Sequence, residues 1–265
     1  MKTVLTIAGS DSLSGGGIQA DMRTYEEFDV CGLNVLTCIV TVTPQTDSVK
    51  IYEVPTELIE EQLQTCFTQK IDVIKIGMLA SIEVATLVVS YLKKYPKIPV
   101  VLDPVLALKE TGLTSSKEII TFFKEELMPL ATITTPNLKE AELLSGLEGI
   151  STLAEMELAA KKIHKTGVKN VVIKGGQRLP GEKAYDVFFD GQEIQILTEK
   201  KLSNGYNNGA GCTFASAIAS SIARGETILN AVMNGKKFVY EAIKYGIPFL
   251  PDLGNVYQGG KNKTF

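Results

Sequence analysis

Short apolar runs alternate with longer amphipathic stretches along the chain. Several of the short runs are nearly continuous in Val, Ile and Leu, which is typical of strands buried on both faces of a sheet. The predicted strands are Val4–Ala8, Asn34–Val42, Val73–Ile76, Val100–Leu102, Thr132–Thr134 and Asn170–Lys174. Apolar residues at helical spacing predict helices over Thr56–Phe67, Ile82–Lys93, Ser116–Leu127, Leu153–Lys165, Gly211–Arg224 and Thr227–Tyr245.

This alternation predicts an α/β fold with a mostly parallel sheet flanked by helices. Two later runs, Ala184–Phe189 and Glu193–Leu197, are separated by Asp190-Gly191, a hairpin signal that adds a small antiparallel edge. No linker rich in Pro, Gly or Ser divides the chain, so we expect a single domain over residues 1–265. Ligands in such folds bind beyond the carboxyl ends of the strands, where we therefore look for chemistry.

Composition narrows the classes of function. The chain has 265 residues and a formal net charge of −3, which argues against a non-specific nucleic-acid binder. Its one histidine, His164, disfavours a Ser–His–Asp hydrolase and a histidine-rich zinc site. Catalysis is left to carboxylates, lysines, cysteines, backbone amides or a metal. We expect His164 itself on the outer surface of a helix, near its C-terminal end.

Cysteine spacing and hydropathy bear on location. The four cysteines include no C-x-x-C pair, so reduced and mostly buried thiols are expected rather than a zinc ribbon. The apolar start of the chain is too short for a signal peptide. No window approaches the roughly 18 apolar residues of a membrane span. We expect a soluble, cytoplasmic protein without a membrane or nucleic-acid partner.

The first strand runs into a glycine turn, Gly15-Gly16-Gly17, that opens a helix. Consecutive glycines let a backbone approach a ligand, although a merely flexible turn has the same composition. The pattern matches neither the Rossmann nor the Walker glycine motif. Asp11 and Asp21 flank this turn and, taken alone, are as consistent with surface carboxylates or caps as with ligands.

Acidic and basic residues end the neighbouring strands. Asp103 closes a buried strand and could hold Mg²⁺ beside phosphates, or could simply belong to a turn. Asn137 and Glu140 have capping-box spacing at a helix start, and Glu140 could also add a second carboxylate near Asp103. Lys174 ends the next strand at the same edge, before a glycine pair.

The segment Gly209-Ala210-Gly211-Cys212 opens a helix that is apolar along its length. Glycines there allow several backbone N–H groups to converge as an anion hole. We expect the helix end to lower the pKa of the Cys212 thiol. Without a histidine partner, the thiol is better suited to accept a proton than to act as a nucleophile. Close packing at a glycine–helix junction is the structural alternative.

Together these turns resemble, in order, those of the ribokinase-like vitamin kinases, most closely the hydroxymethylpyrimidine/phosphomethylpyrimidine kinase branch, which includes pyridoxal kinases of Gram-positive bacteria. The resemblance covers about residues 3 to 246. The matching stretches are Ala8–Asp11, Gly15–Asp21, Lys75–Leu79, Asp103–Val105, Thr135–Glu140, Lys174–Gly176 and Gly209–Thr213.

The resemblance implies a ribokinase-like three-layer fold and transfer of the ATP γ-phosphoryl group to a primary alcohol on a small aromatic heterocycle. By position, the turn Gly209–Cys212 would form the anion hole, with Gly209 and Gly211, and Cys212 would take the hydroxyl proton. Asp103 and Glu140 would organise Mg²⁺. A homodimer is also implied. Nucleotide contacts would come from Asn137, Lys174, Thr213 and Lys236, and the heterocycle pocket from Gly9, Gly16, Asp21, Val42, Met78 and Val105, with Asp21 bonding the ring substituents.

Departures from the family pattern bear on the substrate. Val42 stands where pyrimidine kinases carry a glutamine suited to an aminopyrimidine edge, which favours pyridoxal, pyridoxine or pyridoxamine as acceptor. Asn208 replaces a common histidine, and residues 105–112 are expected to form a lid. Hydroxymethylpyrimidine or phosphomethylpyrimidine kinase activity remains the alternative. A sugar or nucleoside kinase is disfavoured because Cys212 stands where such kinases usually carry Asp. A non-catalytic binding protein is disfavoured because Cys212, Asp103 and the glycine turn are all retained.

Overall fold

A computed structural model describes residues 1–43, 48–106, 116–203, 206–250 and 253–262. Within these ranges a nine-stranded sheet has the order β3-β2-β1-β4-β5-β6-β7-β8-β9. A separate two-stranded sheet joins β10 to β11. The strands are β1 (Thr3–Asp11), β2 (Cys31–Thr43), β3 (Ser48–Glu53), β4 (Val73–Ile76), β5 (Val100–Leu102), β6 (Ile133–Thr134), β7 (Val171–Lys174), β8 (Lys183–Phe189), β9 (Ile194–Lys200), β10 (Ile247–Leu250) and β11 (Leu253–Asn255).

The predicted α/β architecture is confirmed. Strands β2, β1, β4, β5, β6 and β7 are parallel, while β3 pairs antiparallel to β2 and the hairpin β8-β9 pairs antiparallel to β7. The edge strand β3 and the β10-β11 pair were not predicted from the sequence. The helices are α1 (Gly17–Glu27), α2 (Thr56–Cys66), α3 (Ile82–Lys94), α4 (Lys117–Phe122), α5 (Leu138–Ser145), α6 (Leu153–His164), α7 (Ala210–Ala223) and α8 (Ile228–Lys244).

One predicted helix, Ser116–Leu127, changes geometry along its length. Regular α-helix ends at Phe122, and Phe123–Leu127 forms a π-helical turn. Phe123 and Leu127 are both buried, so the wider turn keeps two large side chains in the core. Pro129 follows within a short 3₁₀ turn, where a regular helix could not continue without losing a hydrogen bond.

The two faces of the sheet have separate cores. Helices α2, α3, α5 and α6 cover one face, which we call the α3 face. Helices α1, α7 and α8 cover the other, which we call the α7 face. Because side chains alternate along a strand, Leu5 and Ile7 point to the α3 face while Val4 points to the α7 face.

Helix ends follow the predicted caps. Asn137 and Glu140 form a reciprocal capping box at the start of α5, as the spacing predicted. His164 ends α6 as predicted and is partly covered, because its ring packs edge-on against Phe189 at a centroid distance of 5.2 Å. Across the described residues no helix is long and apolar enough to cross a membrane.

Candidate active site

A cavity of about 510 Å³ opens at the carboxyl ends of the parallel strands. This is where the fold class predicts a ligand site. It brings together residues from both ends of the chain, because the turns after β1, β5, β6 and β7 meet the start of α7 there. Of the predicted site residues, its wall contains Gly9, Gly16, Val42, Met78, Val105, Asp103, Asn137, Glu140, Lys174, Gly209, Gly211, Cys212 and Lys236.

The glycine turn after β1 is shaped by Asp11. Its carboxylate accepts the backbone N–H of Leu13 at 2.9 Å, of Gly15 at 3.0 Å and of Gly16 at 2.9 Å. Gly17 has a φ of +60°, which favours glycine. Asp11 is therefore the residue that folds this turn, a role that the sequence left open between cap and ligand.

Beside the glycine turn the cavity wall is apolar. Val42 on β2 and Val49 on β3 face it from the sheet edge, while Met78 and Val105 follow β4 and β5. This end of the cavity suits the face of an aromatic ring, because apolar side chains supply most of the surface of small-molecule pockets. The unpredicted strand β3 thus contributes to the predicted pocket.

The second glycine turn caps α7. Gly209 has a φ of +83°, and a Cβ at this position would collide with the carbonyl oxygen of Gly15. A Cβ on Gly211 would lie 3.2 Å from the Lys174 ammonium and 3.8 Å from a carboxylate oxygen of Asp103. Gly209 therefore has to be glycine, and Gly211 leaves room for the charged side chains of Lys174 and Asp103 beside the start of α7.

Cys212 lies in the first turn of α7 and on the cavity wall. Desolvation raises the pKa of its thiol to about 11, outweighing the Lys75 charge that lowers it. The carboxylates of Asp21 and Asp103 raise this pKa further. The predicted lowering was therefore wrong for the ligand-free protein, because burial and two nearby carboxylates outweigh the Lys75 charge and the backbone hydrogen bond from Gly17.

Beneath Cys212 lies a fully buried ion pair that the sequence did not predict. The Lys75 ammonium contacts the two carboxylate oxygens of Asp21 at 2.8 and 3.0 Å. Ser216 donates a hydrogen bond to Asp21 at 2.6 Å. Burial alone would lower the pKa of Lys75, but the charge of Asp21 raises it above its ordinary value, so Lys75 remains an ammonium.

This pair corrects one predicted role. Asp21 was expected to bond the substrate ring, but it is buried and is not part of the cavity wall, whereas Lys75 is. The carboxylate is engaged because α1 packs against α7, which in turn packs against β4, so Asp21 faces inward to Lys75 and Ser216. The sequence does contain a signal that could have identified this ion pair. Lys75 lies within a buried strand of four residues, and a buried charge needs a partner of opposite charge.

Asp103 and Lys174 form a second ion pair at the strand ends. The Lys174 ammonium lies 2.8 Å from Asp103, which also accepts a hydrogen bond from Thr135 at 2.9 Å. Burial would raise the pKa of Asp103, but Lys174 and Lys75 hold it below its usual range, so it stays a carboxylate. Glu140 lines the same cavity and acts on Lys174 electrostatically.

These oxygens are compatible with a magnesium ion. Mg²⁺ is usually held by one or two carboxylates together with substrate phosphates and water, not by a dense protein cage. In the described ranges no group of three or more histidine, cysteine, aspartate or glutamate side chains is arranged to hold a metal ion. Asp103 and Glu140 are the carboxylates on the wall beside Lys174 that fit the ion.

The remaining predicted nucleotide contacts divide into two groups. Lys236 lies on the wall and is held by Asp186, a carboxylate missed at the sequence level, at 2.8 Å. Thr213 is not part of the cavity wall; it is buried, and its hydroxyl accepts a hydrogen bond from Gln258 at 2.9 Å. Of the expected lid, residues 107–112 lie outside the described ranges.

Several known proteins resemble this chain in sequence and in fold. A sequence model of the phosphomethylpyrimidine kinase family matches residues 11–256. The pyridoxine kinase of Bacillus subtilis is 39% identical over 96% of this chain and 94% of its own. The structure of the pyridoxal kinase from Staphylococcus aureus in complex with AMP-PCP and pyridoxal superposes with a TM-score of 0.94, at 38% identity over 99% of this chain and 95% of that one.

A third likeness is to the phosphomethylpyrimidine kinase of Clostridium difficile. Its crystal structure gives a TM-score of 0.79 at 33% identity, covering 92% of this chain and 100% of that one. These likenesses confirm the ribokinase-like fold that the turn motifs implied. They include pyridoxine and pyridoxal kinases as well as a phosphomethylpyrimidine kinase, so similarity alone does not decide the acceptor.

Proposed function

The chain is a kinase of the phosphomethylpyrimidine kinase family, and we propose that it transfers the γ-phosphoryl group of ATP to the 5′-hydroxymethyl group of pyridoxal, and also of pyridoxine and pyridoxamine. The main observation behind this proposal is that the cavity has two chemically different ends. An apolar pocket around Val42 and Met78 meets an amide-lined turn at Gly209–Cys212. A flat heterocycle fits the first end and a transferring phosphoryl group the second.

The transfer needs positioning and charge neutralisation more than covalent chemistry. The amides of the Gly209–Cys212 turn bind the transferring group as an anion hole. Cys212 accepts the proton of the attacking hydroxyl, because it lies on the wall between the two ends of the cavity. To accept that proton Cys212 must be a thiolate, so its own proton passes to solvent before transfer, and the ammonium of Lys75 is the charge that favours the thiolate against the raised pKa.

At the nucleotide end of the cavity two lysines are each paired with a carboxylate, Lys174 with Asp103 and Lys236 with Asp186. Lys174 and Lys236 bind the phosphates and Asn137 contributes at the start of α5. Asp103 and Glu140 would hold Mg²⁺, which supplies positive charge to the phosphates when bound. Lys174 already neighbours both carboxylates, so cation and carboxylate positions are fixed before the nucleotide arrives.

The preference for pyridoxal rests on the pocket wall. Val42 gives the apolar end no hydrogen-bonding side chain at this position for an aminopyrimidine. Similarity to pyridoxine and pyridoxal kinases supports the same preference. Hydroxymethylpyrimidine is the second candidate acceptor, favoured by the family match and by the likeness to a phosphomethylpyrimidine kinase structure.

The deciding experiment compares kcat/KM for pyridoxal and hydroxymethylpyrimidine at fixed MgATP. We expect pyridoxal to be preferred by the wild type. Val42→Gln should move the ratio toward the pyrimidine by at least about tenfold, since a placed hydrogen-bonding group discriminates strongly. Val42→Ile, which adds bulk without polarity, is the matched control and should not favour the pyrimidine. Phosphorylation of the pyrimidine alone by the wild type would overturn the assignment.

Three further expectations belong to this proposal. The family resemblance points to a homodimer, which sedimentation of the purified chain would test. Residues 1–265 are proposed to act as one kinase domain, in a cytoplasmic setting where ATP is available. We propose no membrane or nucleic-acid partner, in keeping with the net charge of −3.

A further inference from the structure

The C-terminal segment contacts both glycine turns of the active site. Asn255, at the end of β11, uses both ends of its side-chain amide. Its Nδ2 donates to the carbonyl oxygen of Leu13 at 2.8 Å, and its Oδ1 accepts from the Nδ2 of Asn208 at 2.8 Å. Asn255 is only 5% exposed, so these bonds form away from bulk water. We call Asn208 and Asn255 the asparagine bridge.

The backbone reinforces this contact. Asn208 donates its N–H to Gly254 at 3.0 Å and accepts the N–H of Val256 at 3.0 Å. Both polar backbone groups of the residue that precedes Gly209 are thus fixed by the C-terminal segment. Leu13, at the other end of the bridge, belongs to the turn that Asp11 folds.

The relative position of the two turns sets a catalytic distance. Gly209 packs so closely on the Gly15 carbonyl that no side chain fits between them. A Cβ built on Gly16 would lie 3.7 Å from the Cys212 sulfur. A shift of one turn against the other therefore changes the separation between the acceptor pocket and the Cys212 thiol.

We propose that Asn255 is a positioning residue, which holds the acceptor turn at Gly15–Gly17 in register with the phosphoryl turn at Gly209–Cys212 through Asn208. It is not part of the cavity wall, so it acts through the turns and not on the substrate. The inference rests on the proposed function of those turns. According to this inference, a C-terminal residue controls the geometry of phosphoryl transfer. That residue is distant in sequence from the predicted site residues.

The test combines kinetics with a readout that needs no substrate. Asn255→Ala should lower kcat by about tenfold to a hundredfold, since a displacement of about 1 Å can cost that much, while KM for ATP changes little. Hydrogen exchange of peptides spanning residues 12–17 should become faster. Asn230→Ala, which removes an exposed asparagine on α8, is the matched control and should change neither quantity.

A double-mutant cycle identifies the bridge itself. Asn208→Ala should reproduce the loss in kcat, and the double variant should lose no more than the worse single variant, because both remove one shared contact. Asn208→Ala also serves if Asn255→Ala does not fold, as judged by its thermal unfolding. A folded Asn255→Ala enzyme with kcat within twofold of wild type would overturn the proposal, with or without faster exchange. So would losses that multiply in the double variant.

These results separate the two proposals. If the wild type phosphorylates neither pyridoxal nor hydroxymethylpyrimidine, the proposed function fails. The exchange measurement then still decides whether the bridge orders the turn. If the wild type is active and folded Asn255→Ala keeps kcat within twofold of wild type, the positioning role fails alone.

Discussion

The two faces of the central sheet are built from the same strands but differ in chemistry. On the α3 face, Leu5, Ile74 and Leu102 pack into a continuous apolar core. On the α7 face, the same strands bury Val4, Val73 and Val101 in the core. Polar groups follow these valines toward the carboxyl ends of the strands. The α3 face serves stability, whereas the α7 face combines a smaller core with the reactive groups.

Strand alternation explains the difference. Residues two apart on a strand share a face, so Lys75 follows Val73, and Asp103 follows Val101, onto the α7 face. Lys174 follows Val172 in the same way. All three charges therefore reach the helix that carries Cys212. We therefore expect substitutions on the α3 face to lower stability with little loss of activity. Substitutions of the polar groups on the α7 face should lower activity.

The largest expected effect is that of Cys212→Ala. Loss of a general base typically costs about 10²- to 10⁴-fold, so kcat should fall by that factor. ATP affinity, measured by calorimetry, should remain nearly intact because the turn amides and Lys174 are unchanged. Cys31→Ala removes an exposed thiol and should be silent. Near-normal turnover of Cys212→Ala would refute the assignment of the base.

Lys75→Met should affect both activity and stability. Removing one partner of a buried ion pair leaves Asp21 uncompensated and costs about 3–5 kcal/mol in the free energy of unfolding, measured with urea. Adding Asp21→Asn should restore much of that stability but not kcat, since the charge beneath Cys212 stays absent. Full recovery of kcat in the double variant would show that the pair is only structural.

Leu63→Ala tests the α3 face. Leu63 is fully buried in α2, and truncation of a buried leucine typically costs about 2–5 kcal/mol of unfolding free energy. We expect kcat of the folded variant to stay within about twofold of wild type, because the change is confined to packing. A loss of kcat comparable with that of Cys212→Ala would contradict the division between the faces.

The pH dependence of alkylation tests the environment of Cys212. Only the thiolate reacts with iodoacetamide, and the pKa of Cys212 is raised to about 11. Its alkylation rate in the free enzyme should therefore rise about tenfold per pH unit from pH 7 to 10 without reaching a plateau. Peptide mass spectrometry in a Cys31→Ser background isolates the signal. A plateau near pH 8 would contradict the raised pKa.

His164→Gln should have the smallest effect. The ring packs on Phe189 at the far end of α6 and no proposed step uses it. We expect kcat/KM to be unchanged over the pH range of the assay, with at most a small loss of stability from the ring contact. A large change in kcat/KM would mean that the site extends beyond the strand ends.

Much of the site could be predicted from local sequence. The glycine turns and the strand-end residues Asp103 and Lys174 were identified because each follows a recognisable apolar run. The strands that were missed are β3 and the β10-β11 pair. They lie at the edge of the sheet or near the C-terminus, where no long-range periodicity in the sequence marks them. Asp186 was missed because it sits inside a predicted hairpin strand, a place that alternation alone assigns to structure.

The sequence by itself determined most of the strands and helices and the set of side chains at the strand ends, because these follow from local periodicity. The family was identified from the resemblance of the turn motifs to those of known kinases. The tertiary structure decided how those side chains are engaged. It placed Asp21 on Lys75 rather than on the cavity wall, and it raised the pKa of Cys212. It also joined Asn255 to Asn208. Burial and partners depend on which distant segments pack together, which no local pattern contains.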